Sequence, residues 1–189
     1  MLWAAVKPLL TPLGYLRIRH PLKAWLDWRI PGILAATLTG SLLALPLPVV
    51  MVGPGGLITV ITGLLQILIG FYVAALAAVA TFDRPTMDQP VDGDPMMLTV
   101  RRQGPPVEIY LSRRRFLSYL FGYLAWLSLA LYFSGALVNL LADNLRTILP
   151  PAIQELAEAA FLLVYLLLTL NLLITTMLGL HYLSDRIHR

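Results

Sequence analysis

The chain has 189 residues, 58% of them hydrophobic and only 13% charged, with a mean hydropathy of +0.76 and a formal net charge of +4. Soluble domains carry about 25% charged residues, so a chain this poor in charge cannot cover a folded surface with polar groups. Bulk water is excluded as the solvent for much of it, and the absence of cysteine excludes disulfides, thiolate metal sites and thiol nucleophiles.

Residues 1–29 mix apolar and basic groups, among them Trp3, Lys7, Tyr15, Arg17, Arg19, His20, Lys23, Trp25, Trp28 and Arg29. Met1 to Lys7 lacks a basic region ahead of its apolar stretch. No cleavable leader is therefore expected, and the first span should act as its own insertion signal. Prolines at 8, 12 and 21 rule out one continuous helix. From Pro21 onward, Leu22, Trp25 and Leu26 fall on one helical face, with Lys23 and Asp27 off it. That pattern predicts a short amphipathic helix lying flat in the headgroup layer, indoles at the boundary and cations toward phosphates.

Four spans follow, at 30–52, 57–80, 116–138 and 156–180. Each is long enough to cross a ~30 Å hydrocarbon layer at about 1.5 Å per residue. Pro46 and Pro48 should kink or shorten the first near its far end. Val52-Gly53-Pro54-Gly55-Gly56 makes a tight turn into the second. The fold class expected is an all-α integral membrane protein built from two helical hairpins, 30–80 and 116–180. Gly32, Ala36 and Gly40 follow a small-xxx-small spacing in the first span, and Gly63 and Gly70, with Ala74 and Ala78, do similar work in the second. Gln66 and Asn171 are the polar residues nearest the middle of their spans. Each amide needs a partner, most simply the other or its copy in an oligomer. Gly32, Ala36, Gly40, Gly63, Gln66, Gly70 and Asn171 are thus the expected helix–helix contacts. No ionisable group lies near the centre of a span, so proton-coupled transport lacks its usual sign.

A polar insertion, 81–115, separates the two hairpins, and a tail, 181–189, follows the last span. Lys and Arg number five in residues 1–29, six in the insertion and two in the tail, with Arg146 alone in the other connections. The positive-inside rule puts both termini and the insertion in the cytoplasm. Asp83 to Pro95 reads as irregular chain, while Met97–Val100 and Val107–Leu111 read as two short strands joined by a turn over Arg101–Pro106. A lone hairpin is marginal in water and must pack against something. Arg101, Arg102, Arg113, Arg114 and Arg115 are the expected partner-binding residues, facing anionic headgroups or an acidic soluble protein. Direct nucleic-acid binding is not expected, because Tyr110 is the insertion's one aromatic residue beyond Phe82.

Catalysis has little to stand on. His20, His181 and His188 form no metal-ligand spacing, and the four-residue step from His181 to Asp185 suits a solvated helix end. Asp83, Asp88, Asp92 and Asp94 are spread over Pro- and Gly-containing chain. No phosphate-binding glycine motif or nucleophile elbow is present. No catalytic, metal-binding or cofactor-binding residue is assigned, and the chain is not expected to be an enzyme.

Two stretches carry a family resemblance, Pro21-Leu-Lys-Ala-Trp-Leu-Asp-Trp-Arg-Ile-Pro-Gly32 and Leu111-Ser-Arg-Arg-Arg-Phe-Leu117. With the length, four spans and cytoplasmic middle, they resemble the small membrane subunit of two-component bacterial anti-phage systems of the Kiwa type. The resemblance implies an oligomeric sensor in the bacterial inner membrane that recruits a soluble DNA-binding effector on its cytoplasmic face. The function expected is accordingly a homo-oligomeric scaffold or sensor. The alternative is a pore or channel effector assembled from several copies.

Overall fold

In a computed structural model, residues 7–20, 23–45, 50–81, 85–90, 96–100, 107–148 and 150–186 are described. Most of them are helical: α1 spans Ile30–Ala44, α2 Leu57–Thr81, α3 Arg113–Ile148 and α4 Pro151–Arg186. Three of these, α2, α3 and α4, are long and apolar enough to cross a membrane. Helix α1 has 15 residues and carries Pro31 in its first turn, where the missing N–H costs nothing. It stops at Leu45, whose backbone is extended (ψ 133°) as the residue before a proline must be. The expected kink region at Pro46 and Pro48 lies outside the described residues.

The last two helices overrun their expected ends. The third span was expected to finish at Val138 and the fourth to start at 156, yet α3 continues to Ile148 and α4 begins at Pro151. Residues 139–148 hold no Gly or Pro, so the apolar stretch ends there while the helix does not. Pro150 and Pro151 end it, Pro151 taking a first helical position. At the turn before α2, Gly53 and Gly55 adopt φ of 100° and 75°, which only glycine accepts readily.

Helix α2 packs along α3, α3 along α4, and α1 along α4. The order across the bundle is therefore α2, α3, α4, α1, with α1 seated on the last helix rather than on its neighbour in sequence. Leu65, Tyr72, Leu120, Phe121, Leu124 and Leu172 fill the centre and are all but inaccessible.

Ahead of the bundle runs a 3-10 helix, Lys7–Arg17, lying on α3. Gly14 is needed there, since a Cβ would stand 2.8 Å from the Tyr119 ring. Strand β1, Ile18–Arg19, follows, and a π-helical turn, Trp25–Arg29, leads directly into α1. The insertion forms the hairpin expected, β2 (Met97–Val100) with β3 (Val107–Tyr110), and its turn over 101–106 lies outside the described residues. The hairpin packs against its own N-terminal segment: β1 adds a third antiparallel strand, with Ile18 opposite Leu98. Ile18, Met96, Leu98 and Leu111 are buried beneath this sheet. Two residues of strand are too few to show alternation, which is why β1 was not legible in the sequence.

Candidate functional site

The π-helical turn puts Asp27 where the expected amphipathic pattern does not. Asp27 is 0% exposed, whereas Trp25 and Trp28 are 49% and 47% exposed. A wider turn carries each side chain to a different bearing from the one an α-helix gives it, so the α-helical assignment of Asp27 to the wet side fails. The carboxylate points inward and finds its partners there.

Those partners come from three other places in the chain. Tyr15 donates its hydroxyl to Asp27 Oδ1 at 3.1 Å, and the Lys23 ammonium, four residues back, pairs with Oδ2. Asn171 of α4 donates Nδ2 to the Asp27 carbonyl at 2.6 Å, and its own Oδ1 accepts from Tyr123 of α3 at 2.8 Å. The Tyr15 and Tyr123 rings stack at 4.9 Å, and Lys23 Nζ lies 4.2 Å over the Tyr15 ring. A second hydroxyl pair, Tyr72 with Thr176 at 2.6 Å, joins α2 to α4. Burying a carboxylate is costly unless it is paired and hydrogen-bonded, and Asp27 meets both conditions. Burial, and then the neighbouring Asp27 charge, push the Tyr15 phenol well above its ordinary pKa, so Tyr15 stays a donor.

The ion pair opens on a cavity of about 220 Å³. His20 from the N-terminal segment and His181 and Tyr182 from α4 line it together with Tyr15, Lys23 and Asp27. Ile18, Leu26, Met96, Phe116 and Leu178 complete its walls.

The residues singled out from sequence are placed as follows. Asn171 does join helices, through Tyr123 and the Asp27 carbonyl. Gln66 is not its partner, because that amide donates to Tyr132 on an exposed face at 3.1 Å. Gly32 lies against α4, an added Cβ coming 3.9 Å from Leu167, but at Gly40, Gly63 and Gly70 it would meet nothing within 4 Å. Ala36 is exposed too. The buried line of α1 is Pro31, Ala35 and Thr39, one residue out of phase with the stripe read from the sequence. Within the bundle helices, the close-approach glycines are Gly135, 2.7 Å from the Tyr165 hydroxyl by its would-be Cβ, and Gly179, 2.9 Å from Leu120.

Among the arginines, Arg101 and Arg102 lie outside the described residues, as do Asp83, Asp92, Asp94 and His188. Arg114 grips Asp88 with Nε at 3.0 Å and Nη2 at 3.3 Å, while Nη1 donates to the Val79 carbonyl at 3.2 Å. A forked pair of this kind fixes both groups, and the third bond satisfies a carbonyl of the last turn of α2. Arg113 is half-buried, and Arg115 is exposed. Both Arg114 and Arg115 border a groove of about 700 Å³ between the 3-10 helix, the sheet and α3. Among the described residues, no group of three or more His, Asp or Glu side chains is placed to hold a metal ion.

The sequence did carry a trace of the buried pair. Asp27 is the only acidic residue before Asp83, it stands four places after Lys23, and a charge-free helix begins just beyond it. No protein-family model, curated protein or solved structure matches the chain.

Proposed function

We propose that this protein is an oligomeric scaffold or sensor subunit of the bacterial inner membrane that recruits a soluble partner to its cytoplasmic face. In this reading the chain crosses the membrane four times, through 30–52, α2, α3 and α4, as two sequential hairpins. Both termini and the insertion then lie inside the cell, on the side where its basic residues gather.

The observation that carries the proposal is the joined head of the molecule. Residues 18–19, 97–100 and 107–110, the first far from the others in sequence, share one sheet, and Arg114 ties the insertion to the end of α2. A connection that merely returned the chain to the membrane would need neither. Strand β3 is the outer strand of that sheet, and Tyr110 and Arg115 are exposed beside it. Among the described residues no further strand pairs with β3, and a strand edge next to a cation is a surface that a protein can read through backbone hydrogen bonds and charge. The outward faces of Gly40, Gly63 and Gly70 suit close approach of a second copy. The centre of the bundle is filled, so conduction, the alternative function, would have to run between copies. The Kiwa-type layout supports an anti-phage role, with a soluble DNA-binding effector as the partner.

Replacing Arg101, Arg102 and Arg115 together by Glu should strip the partner from protein isolated in mild detergent, with membrane insertion unchanged. Undiminished co-purification of the same partner with this triple variant would reject docking at the head.

A further inference from the structure

Lys23 has three N–H donors. Among the described residues its ammonium meets one acceptor, the Asp27 carboxylate, and the face of the Tyr15 ring. Its side chain is only 14% exposed, so bulk water is a poor substitute for the acceptors it lacks. What it borders is the cavity of about 220 Å³, which His20 and His181 enter from two different segments. Among the described residues the single carboxylate on that wall is Asp27, already neutralised by Lys23 itself. The remaining ionisable neighbours are two phenols, Tyr15 and Tyr182, and the rest of the lining is apolar.

We propose that this cavity is a binding site for a phosphate group, held by Lys23, His20 and His181. An ammonium with donors beyond its one ion pair and two imidazole side chains lining one half-open cavity make a site for an oxyanion. The phosphate reaches the site either on an anionic lipid headgroup or on a soluble ion or ester. The lipid source rests on the cytoplasmic orientation proposed above, whereas the soluble source does not.

The full-length protein in detergent, followed by tryptophan fluorescence on heating, tests the site. At pH 6.5 inorganic phosphate should raise the unfolding midpoint saturably, by about 3–6 °C at tenfold excess over its dissociation constant. Chloride at equal ionic strength should not. His181→Ala, at an exposed position, should keep the ligand-free midpoint and lose the rise, and His20→Ala should reduce it. In nanodiscs, a shift with phosphatidylglycerol over phosphatidylcholine that depends on His181, without a response to inorganic phosphate, assigns the source to lipid. The converse assigns it to a soluble phosphate. The proposal is overturned if neither probe gives a His181-dependent shift, or if chloride acts as well as phosphate. A soluble-phosphate response with the head on the outer side of the membrane would overturn the topology and leave the site standing.

Discussion

Asp27 shows how much one side chain can decide. Its carboxylate and its carbonyl are both in use, by Tyr15, Lys23 and Asn171, so it ties the N-terminal segment together and holds it to α4. Removing one member of a buried ion pair leaves the other uncompensated, at a cost of about 3–5 kcal/mol. Asp27→Ala should therefore lower stability by that order in denaturant or thermal unfolding. Replacing both Lys23 and Asp27 with apolar residues of similar size should recover most of the loss; a double variant no better than Asp27→Ala would contradict the pairing. Tyr15 makes a second prediction. Its folded pKa lies above the ordinary value near 10, so the unfolded chain gives up that proton first as pH rises. The stabilisation is complete below about pH 10 and is lost above it by ~1.4 kcal/mol per pH unit. Tyr15→Phe should remove that alkaline component, and an unchanged alkaline slope would count against the contact. None of these partners is near Asp27 in sequence except Lys23. The pair could be read from the chain, but its burial could not, because the reading assumed an α-helix where a π-helical turn forms.

At the level of helices and strands, apolar length was the dependable signal and the phase of the small residues was not. A run of Gly and Ala at four-residue spacing says that something can come close, without naming what. Pro31, Ala35 and Thr39 satisfy the same spacing in the next register, and they are the residues α1 buries. The contrast is measurable. Gly135→Ala places a methyl 2.7 Å from the Tyr165 hydroxyl and 2.8 Å from Thr62 Cγ2, and overpacking of this kind costs about 1–3 kcal/mol. Gly63→Ala and Gly70→Ala meet open space within the chain, so in a monomer each should be neutral or stabilise the helix by up to about 1 kcal/mol. Bulkier Gly63→Leu with Gly70→Leu should break the proposed oligomer, read as a smaller particle by light scattering in detergent. An unchanged particle size would show that those faces meet lipid. The hairpin of the insertion was legible from its alternation and flanking Gly-Pro turn, while its third strand was too short to leave a pattern.

For the molecule as a whole, the distribution of charge and the distribution of packing point the same way. Basic residues gather at one end, and the sheet, the Arg114 clamp and the buried ion pair are all built there. A chain without cysteine makes the orientation simple to test. A single cysteine at Glu108 should react with a membrane-impermeant thiol reagent only after cells are opened. One at Leu140, which is 77% exposed near the far end of α3, should react from outside intact cells. The reverse pattern would invert the proposed topology and remove the head from the cytoplasm. Composition was enough to anticipate a helical, largely apolar fold, because solvent preference is a property of totals. The arrangement of the helices, with α1 against α4, depends on contacts between the two ends of the chain, and no local pattern records those.

The bond from Asn171 to Asp27 spans 144 positions. A ribosome releases Asp27 long before it makes the helix that donates to its backbone carbonyl. Throughout synthesis that carbonyl must find its donor in water or among lipid headgroups, while Tyr15 and Lys23 are already there for the carboxylate. A chain truncated before α4 would still seat residues 7–19 on α3 and β2, but the turn at Asp27 would lack its bond to Asn171, so closure of that bond reports that the final helix has arrived.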